Sequence, residues 1–193
     1  MKERGWKIGV VVLFAAFCIV ACQTVPVQKT TAVKVYTNKH GITFTYPESW
    51  HVEDATLNYK DLDAAAAEGG AYTQIYSYDR TLAADPGMHV PASEAKIMIS
   101  MTRNRENLDY SQVLGELGTD VIDKAVILIN KKPAYKVHYR IMNQESGGIL
   151  DILSIFSINN GYITRFICYP WNSRYERQFE QLAESFRNTG EVD

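Results

Sequence analysis

The residues of this sequence that could do covalent or metal chemistry are three cysteines, four histidines and one Ser-x-x-Lys spacing. Cys22 closes an apolar run and follows the small residue Ala21, which leaves its thiol open to attack and modification; Cys18 follows bulky Phe17. Cys168 lies in the apolar stretch Tyr162–Tyr169 and reads as a buried small hydrophobe. Ser93-Glu94-Ala95-Lys96 has the spacing of an acylating serine and its lysine, but that chemistry also needs S-D-N and K-T-G elements, which the chain lacks. Lys96 also begins a strand pattern instead of standing one helical turn from Ser93. The histidines His40, His51, His89 and His138 lack the short paired spacing of zinc ligands. His40 and His51 flank one strand and read as turn or surface residues, and His138 alternates with Lys136 and Arg140 as on a solvated sheet face. G-x-S-x-G, P-loop, GxGxxG and HExxH patterns are absent. The sequence therefore assigns no catalytic, cofactor-binding or metal-binding residue. Tyr72, Tyr76, Tyr78, Tyr169 and Trp171 are candidates for a recognition surface, although strand propensity explains them equally well.

The N-terminus has the layout of an export signal. Lys2, Arg4 and Lys7 make a basic start, and an uncharged apolar run follows from Ile8 to Ala21. At ~1.5 Å per residue that run reaches about 21 Å, short of the roughly 30 Å hydrocarbon core, so a signal fits better than a membrane-spanning anchor. Ile19-Val20-Ala21-Cys22 resembles the lipobox of bacterial lipoproteins. The resemblance implies that Cys22 receives a diacylglyceryl group, that residues 1–21 are removed, and that two or three acyl chains then hold the protein on a bilayer, where one chain holds only marginally. Gln23 in place of Asp implies the outer membrane if the organism is Gram-negative. Cleavage removes Cys18 and lipidation consumes Cys22, so Cys168 has no partner for an intramolecular disulfide.

The elements that would have to position any site follow from pattern and turn chemistry. Residues 22–32 comprise the lipidated Cys and a flexible tether; a ten-residue coil spans roughly 18 Å. Val33–Thr37 and Ile42–Tyr46 alternate with period two around the turn Asn38–Gly41. Ile42, Phe44 and Tyr46 face the core, Pro47 stops the strand, and Trp50 packs beneath the turn. Asp61–Glu68 favours helix, with Gly69 and Gly70 as its stop; Tyr72–Tyr78 reads as a strand, 79–93 as a loop, Lys96–Arg103 as a strand and Tyr110–Leu117 as a short helix. Lys124–Ile129, Ala134–Met142, Ile149–Ile158 and Tyr162–Tyr169 read as four consecutive strands. They are joined by Asn130–Pro133, Glu145–Gly148 and Asn159–Gly161, turns short enough to make neighbours antiparallel. The third should be central. Tyr175, Phe179, Leu182 and Phe186 form one apolar stripe on a closing helix capped by Asn172 or Ser173.

The segment Gly41–Trp50, with Phe44, Tyr46, Pro47 and Trp50, resembles the opening of PsbP-like domains, and the close, with Phe179, Glu180, Ser185 and Phe186 after the strand Tyr162–Trp171, resembles their end. The resemblance implies an α+β fold over residues 33–189: an antiparallel sheet flanked by helices, an α/β/α sandwich. It also implies a non-enzymatic accessory or docking role, and it carries over no functional residue, because the matched aromatics make the fold.

Charge narrows the partners. The net charge is −2 and becomes −4 once Lys2, Arg4 and Lys7 leave together with Glu3, so nucleic acid, which needs a concentrated basic surface, is excluded. The expected partners are membrane lipid through acylated Cys22 and an envelope protein, with no cofactor. The alternative is an envelope hydrolase or metal-dependent enzyme whose site joins distant residues, such as Ser93 with His89.

Overall fold

Two-residue turns dictate most of the sheet. Asn130 and Lys131 (φ 53° and 64°) and Asn160 and Gly161 (φ 51° and 77°) all have positive φ, as a type I′ hairpin turn requires at both central positions. A computed structural model describes residues 32–54, 71–79, 90–91, 93–115, 117, 120–142 and 147–188. The expected signal and Cys22, the tether up to residue 31, the helix at Asp61–Glu68, most of the loop 79–93 and part of the turn Glu145–Gly148 lie outside those residues.

The first strands, β1 (Val33–Thr37) and β2 (Ile42–Pro47), are the expected hairpin. In its turn the Asn38 side-chain oxygen accepts from the backbone N–H of both His40 and Ile42 at 3.0 Å, and Gly41 takes φ 77°. β3 (His51–Asp54), β4 (Ala71–Tyr76), β5 (Lys96–Arg103), β6 (Asp120–Ile129), β7 (Lys132–Met142), β8 (Ile149–Asn159) and β9 (Tyr162–Tyr169) form an antiparallel sheet in the order β3-β4-β5-β9-β8-β7-β6. β10 (Arg187–Asn188) instead pairs with β2, so β1-β2-β10 is a separate three-stranded sheet. The one sheet expected from the sequence is thus two. β8 is flanked on both sides, as expected, and is buried without interruption from Ile152 to Ser157.

A second departure is at Pro133. The sequence places it in a connection, yet it lies inside β7, opposite Leu128. The pairing of β7 with β8 begins only at Tyr135, so the missing N–H of Pro133 costs no ladder bond, the condition under which a strand tolerates proline.

Each face of the large sheet has its own core. Helix α2 (Glu176–Ser185) and strand β2 cover one face. Phe179, Leu182 and Phe186 of the expected stripe, with Phe44, pack there on Ile97, Ile99, Ile155, Phe166 and Cys168. Asn172 accepts from Arg174 N–H at 3.0 Å and caps a 3-10 turn, Ser173–Tyr175, that leads into α2. Trp50 packs edge-to-face on Tyr175, with ring centroids 5.5 Å apart. On the other face the short helix α1 (Tyr110–Gly115) sets Val113 over Val137, Tyr139, Ile152, Phe156 and Ile163. Its Tyr110 hydroxyl donates to Pro133 O at 2.6 Å and accepts from Ile158 N–H at 3.1 Å, which ties α1 to the hairpin beneath it.

Candidate docking surface

An edge strand offers a row of backbone N–H and C=O groups with no ladder partner, and folds usually blunt such edges by shortness, charge or a bulge. The two edges of the large sheet differ in this respect. β3 has four residues, and its exposed side chains are His51 and Glu53. β6 has ten, and among the described strands it pairs only with β7. At about 3.4 Å per residue it is an edge of roughly 34 Å. Its register slips between Val121 and Asp123, a bulge that spoils only the first turn of the ladder.

The side chains of β6 are the more unusual feature. Val121 and Ile122 are each 46% exposed, Val126 62% and Leu128 63%. Val126 stands opposite Tyr135 and Leu128 opposite Pro133, so both project on the α1 side of the sheet, beside the tilted Tyr110–Tyr135 ring pair. At the far end of the strand Met142 and Ile149, paired across β7 and β8, are also exposed. The result is an aliphatic strip along an open edge, the kind of surface that marks an interaction site. Lys124, which interrupts the strip, has no carboxylate within ion-pair distance among the described residues.

The aromatic surface anticipated from the sequence is assembled only in part. Tyr76, Lys96 and Tyr169 are cross-strand neighbours in register, and the Lys96 ammonium lies 5.3 Å and 5.5 Å from the two ring centroids, within cation–π range. Tyr78 packs edge-to-face on Tyr76. Tyr76 is buried, however, and burial raises the pKa of Tyr169, so these rings serve packing more than recognition. The side chain of Tyr72 lies outside the described residues. Trp171 is on the opposite face, packed in a tilted arrangement on His138 with ring centroids 4.5 Å apart.

That packing corrects the reading of this face as solvated at Lys136 and His138, over which α2 and Trp171 lie, whereas Arg140 remains exposed. Lys136 reaches Glu176 at 2.8 Å and Glu180 at 2.7 Å. Burial alone would lower its pKa, but the two carboxylates outweigh burial and the net shift is upward. His138 Nε2 lies 3.3 Å from Asp151, which also accepts from Arg140 Nε at 2.9 Å.

The candidates for chemistry do not converge. Ser93 sits at φ 68° and exposed, whereas Lys96 begins β5 between its two rings; His89 lies outside the described residues. His40 is buried in the β1–β2 turn and His51 is exposed on β3. Among the described residues no group of three or more His, Cys, Asp or Glu could hold a metal ion.

Cys168 is 1% exposed, and burial pushes its thiol up to about 12. A raised acid pKa adds stability that is complete below the unfolded value, 9.0, and is lost as pH rises from there toward the folded value. At pH 10 the thiol should have given up about 1.4 kcal/mol. Cys168→Ala removes this contribution, so urea midpoints at pH 8 and pH 10 should differ less in the variant than in the parent. Equal differences would mean that the thiol is not held neutral by burial.

The surface that the sequence did not reveal is the β6 edge. The sequence reads Lys124–Ile129 only as one of four consecutive strands, and the signal available was the pair of alternating aliphatics, Val126 and Leu128, after the charged Asp123-Lys124.

Comparison with known proteins follows the same outline. Residues 22–187 match the family described as PsbP-like protein. No curated protein matches the chain. Among solved structures it is similar to cyanobacterial PsbP (CyanoP) from Synechocystis sp. PCC 6803, with 13% identity over 88% of this chain and 98% of that one and a TM-score of 0.49. It is also similar to a protein of unknown function from Pseudomonas aeruginosa, with 13% identity over 79% and 94% and a TM-score of 0.45. A third is LpqN, involved in cell envelope biogenesis of Mycobacterium tuberculosis, with 13% identity over 81% and 90% and a TM-score of 0.44.

Proposed function

Because the chain belongs to the PsbP-like protein family, we propose that it is a non-enzymatic accessory module of the cell envelope, tethered outside the cytoplasm through acylated Cys22, that docks a protein partner along the β6 edge. The observation that carries this reading is the exposed aliphatic strip on a ten-residue strand that, among the described strands, is paired on one side only. The occupant that fits it is an extended segment of an envelope protein. Such a segment adds a strand to the sheet: backbone hydrogen bonds give affinity, and alternate side chains meet Val121, Val126 and Leu128. The tether is supported by the basic start, the apolar run and the small-residue–Cys junction of the sequence.

The test is a pair of lysines. Val126→Lys with Leu128→Lys puts two charges on the edge, the device by which sheets discourage strand addition. Both positions are exposed, so each change should alter stability by no more than about 0.5 kcal/mol. Affinity capture from the native envelope with mass spectrometry should recover one protein in stoichiometric amount with the parent, and the double variant should lose it. Equal capture by parent and variant, or none by the parent, would overturn the docking surface.

A further inference from the structure

The turn end of the large sheet holds a cavity that the docking edge does not use. Its volume is about 210 Å³, smaller than the roughly 300–1,000 Å³ of pockets for drug-sized ligands. It therefore suits a ligand of only a few non-hydrogen atoms. It opens between the β6–β7 turn, the β8–β9 turn and β10, just past the end of α2.

The floor and the rim differ in chemistry. Met101, Ile129, Phe166 and Phe186 make an apolar floor, each no more than 7% exposed. Above it stand the hydroxyls of buried Ser157 and Thr164. The rim carries two cations, Lys132 and Arg187, and among the described lining residues no carboxylate faces them. Lys132 has no ion-pair partner among the described residues. Arg187 spends Nη1 on the carbonyl oxygens of Glu184 and Phe186, both at 2.8 Å, so its guanidinium is held at the rim by the end of α2, and its other donors have no partner among the described residues. Asn130 fixes the wall by donating to Phe186 O at 2.8 Å.

A fixed guanidinium, a second cation and two hydroxyls above a greasy floor make a two-part recognition site. We propose that this cavity binds a small carboxylate carrying a short apolar body, with the carboxylate at Arg187 and Lys132 and the body on Met101, Phe166 and Phe186. Arginine is suited to this, because its donor fork matches a carboxylate. The apolar floor selects against fully hydrated oxyanions, which would leave it uncovered. A free metabolite and the carboxylate end of a larger chain present the same chemistry to this site.

The test uses the intact protein in micelles, with ¹³C-methyl methionine. Met101 reports from the floor, and Met142, 73% exposed on β7, is the control. Titration with butyrate should move the Met101 methyl signal saturably and leave Met142 in place. Butanol, the uncharged analogue, and inorganic phosphate, which lacks the apolar body, should each bind at least about tenfold more weakly, as should butyrate to Lys132→Gln, since a charge-assisted hydrogen bond contributes about that factor or more. Lys131→Gln, one residue outside the cavity lining, should bind as the parent does. A butyrate-ended peptide mimic that displaces butyrate would assign the site to chain ends, and failure to displace would assign it to free carboxylates. The proposal is overturned if Met101 does not respond to butyrate, if phosphate binds equally well, or if Lys132→Gln has no effect.

Discussion

Cys22→Ala is expected to leave residues 1–21 on the chain and to strip it of lipid. In the proposed tether the Cys22 thiol would accept the diacylglyceryl group and cutting before position 22 would follow that acylation, so a methyl at this position should block both steps. Intact mass should show the parent beginning at Cys22 with two or three acyl chains and the variant beginning at its export start. The anchoring effect is all-or-none in scale. Each buried CH₂ contributes about 0.8 kcal/mol, and a second chain turns marginal attachment into stable attachment. A companion form keeps the question separate from the uncut signal. If residues 1–21 are replaced by a non-lipoprotein export signal and Cys22 by alanine, the domain should appear in the soluble extracytoplasmic fraction. A variant trimmed normally at position 22 and held as firmly as the parent would contradict the tether.

Phe166→Ala is the substitution expected to cost the most stability. Phe166 lies in β9, the middle strand of seven, with Ile99 beside it in β5 and Ile155 in β8. It is 0% exposed, and its ring meets that of Phe186 edge-to-face at 5.1 Å. Removing a fully buried phenyl ring forfeits its transfer free energy and leaves a cavity between two packed layers, a loss of about 3–5 kcal/mol. Against a typical domain stability of about 5–15 kcal/mol, that brings the variant close to unfolding. Urea denaturation of parent and variant measures it, with Val126→Ala as the exposed counterpart, expected within about 0.5 kcal/mol of the parent. A loss below about 1 kcal/mol for Phe166→Ala would mean that the α2 face is not packed as described.

Much of this fold is legible because local rules and tertiary structure agree. Asn160-Gly161 requires a tight turn, and the strands on either side follow from it. The stripe Tyr175, Phe179, Leu182, Phe186 places α2 before any contact is known, and Ile97, Ile99 and Met101 identify the buried face of β5 by alternation alone. The failures occur where position in the sheet overrides local pattern. β2 alternates like any strand of the large sheet, and nothing local shows that it pairs with β10 instead. Lys136, His138 and Arg140 have the polarity of a solvated face, but α2 brings Glu176 and Glu180 over Lys136 and so makes that face habitable for charge.

The two sites were harder to read for the same reason. The run Val126–Ile129 has the composition of a core strand, and the exposure of Val126 and Leu128 within it depends on β6 being last in the order of described strands, a property of topology and not of period. The cavity gathers Met101, Lys132, Ser157, Phe166 and Arg187 from five strands. No spacing in the sequence links them, whereas the lipobox-like junction at Cys22 lies within four consecutive residues and is read directly.

The account stands on docking at β6, and the most direct measurement is photo-crosslinking in the native envelope. A photoreactive amino acid placed at position 126 on β6, and separately at Arg177 on the exposed side of α2, reports what lies against each surface. The account predicts one crosslinked envelope protein from position 126, none from position 177, and loss of the position-126 product when Leu128 is changed to lysine. Equal crosslinking from both positions, or products only between copies of this chain, would contradict it.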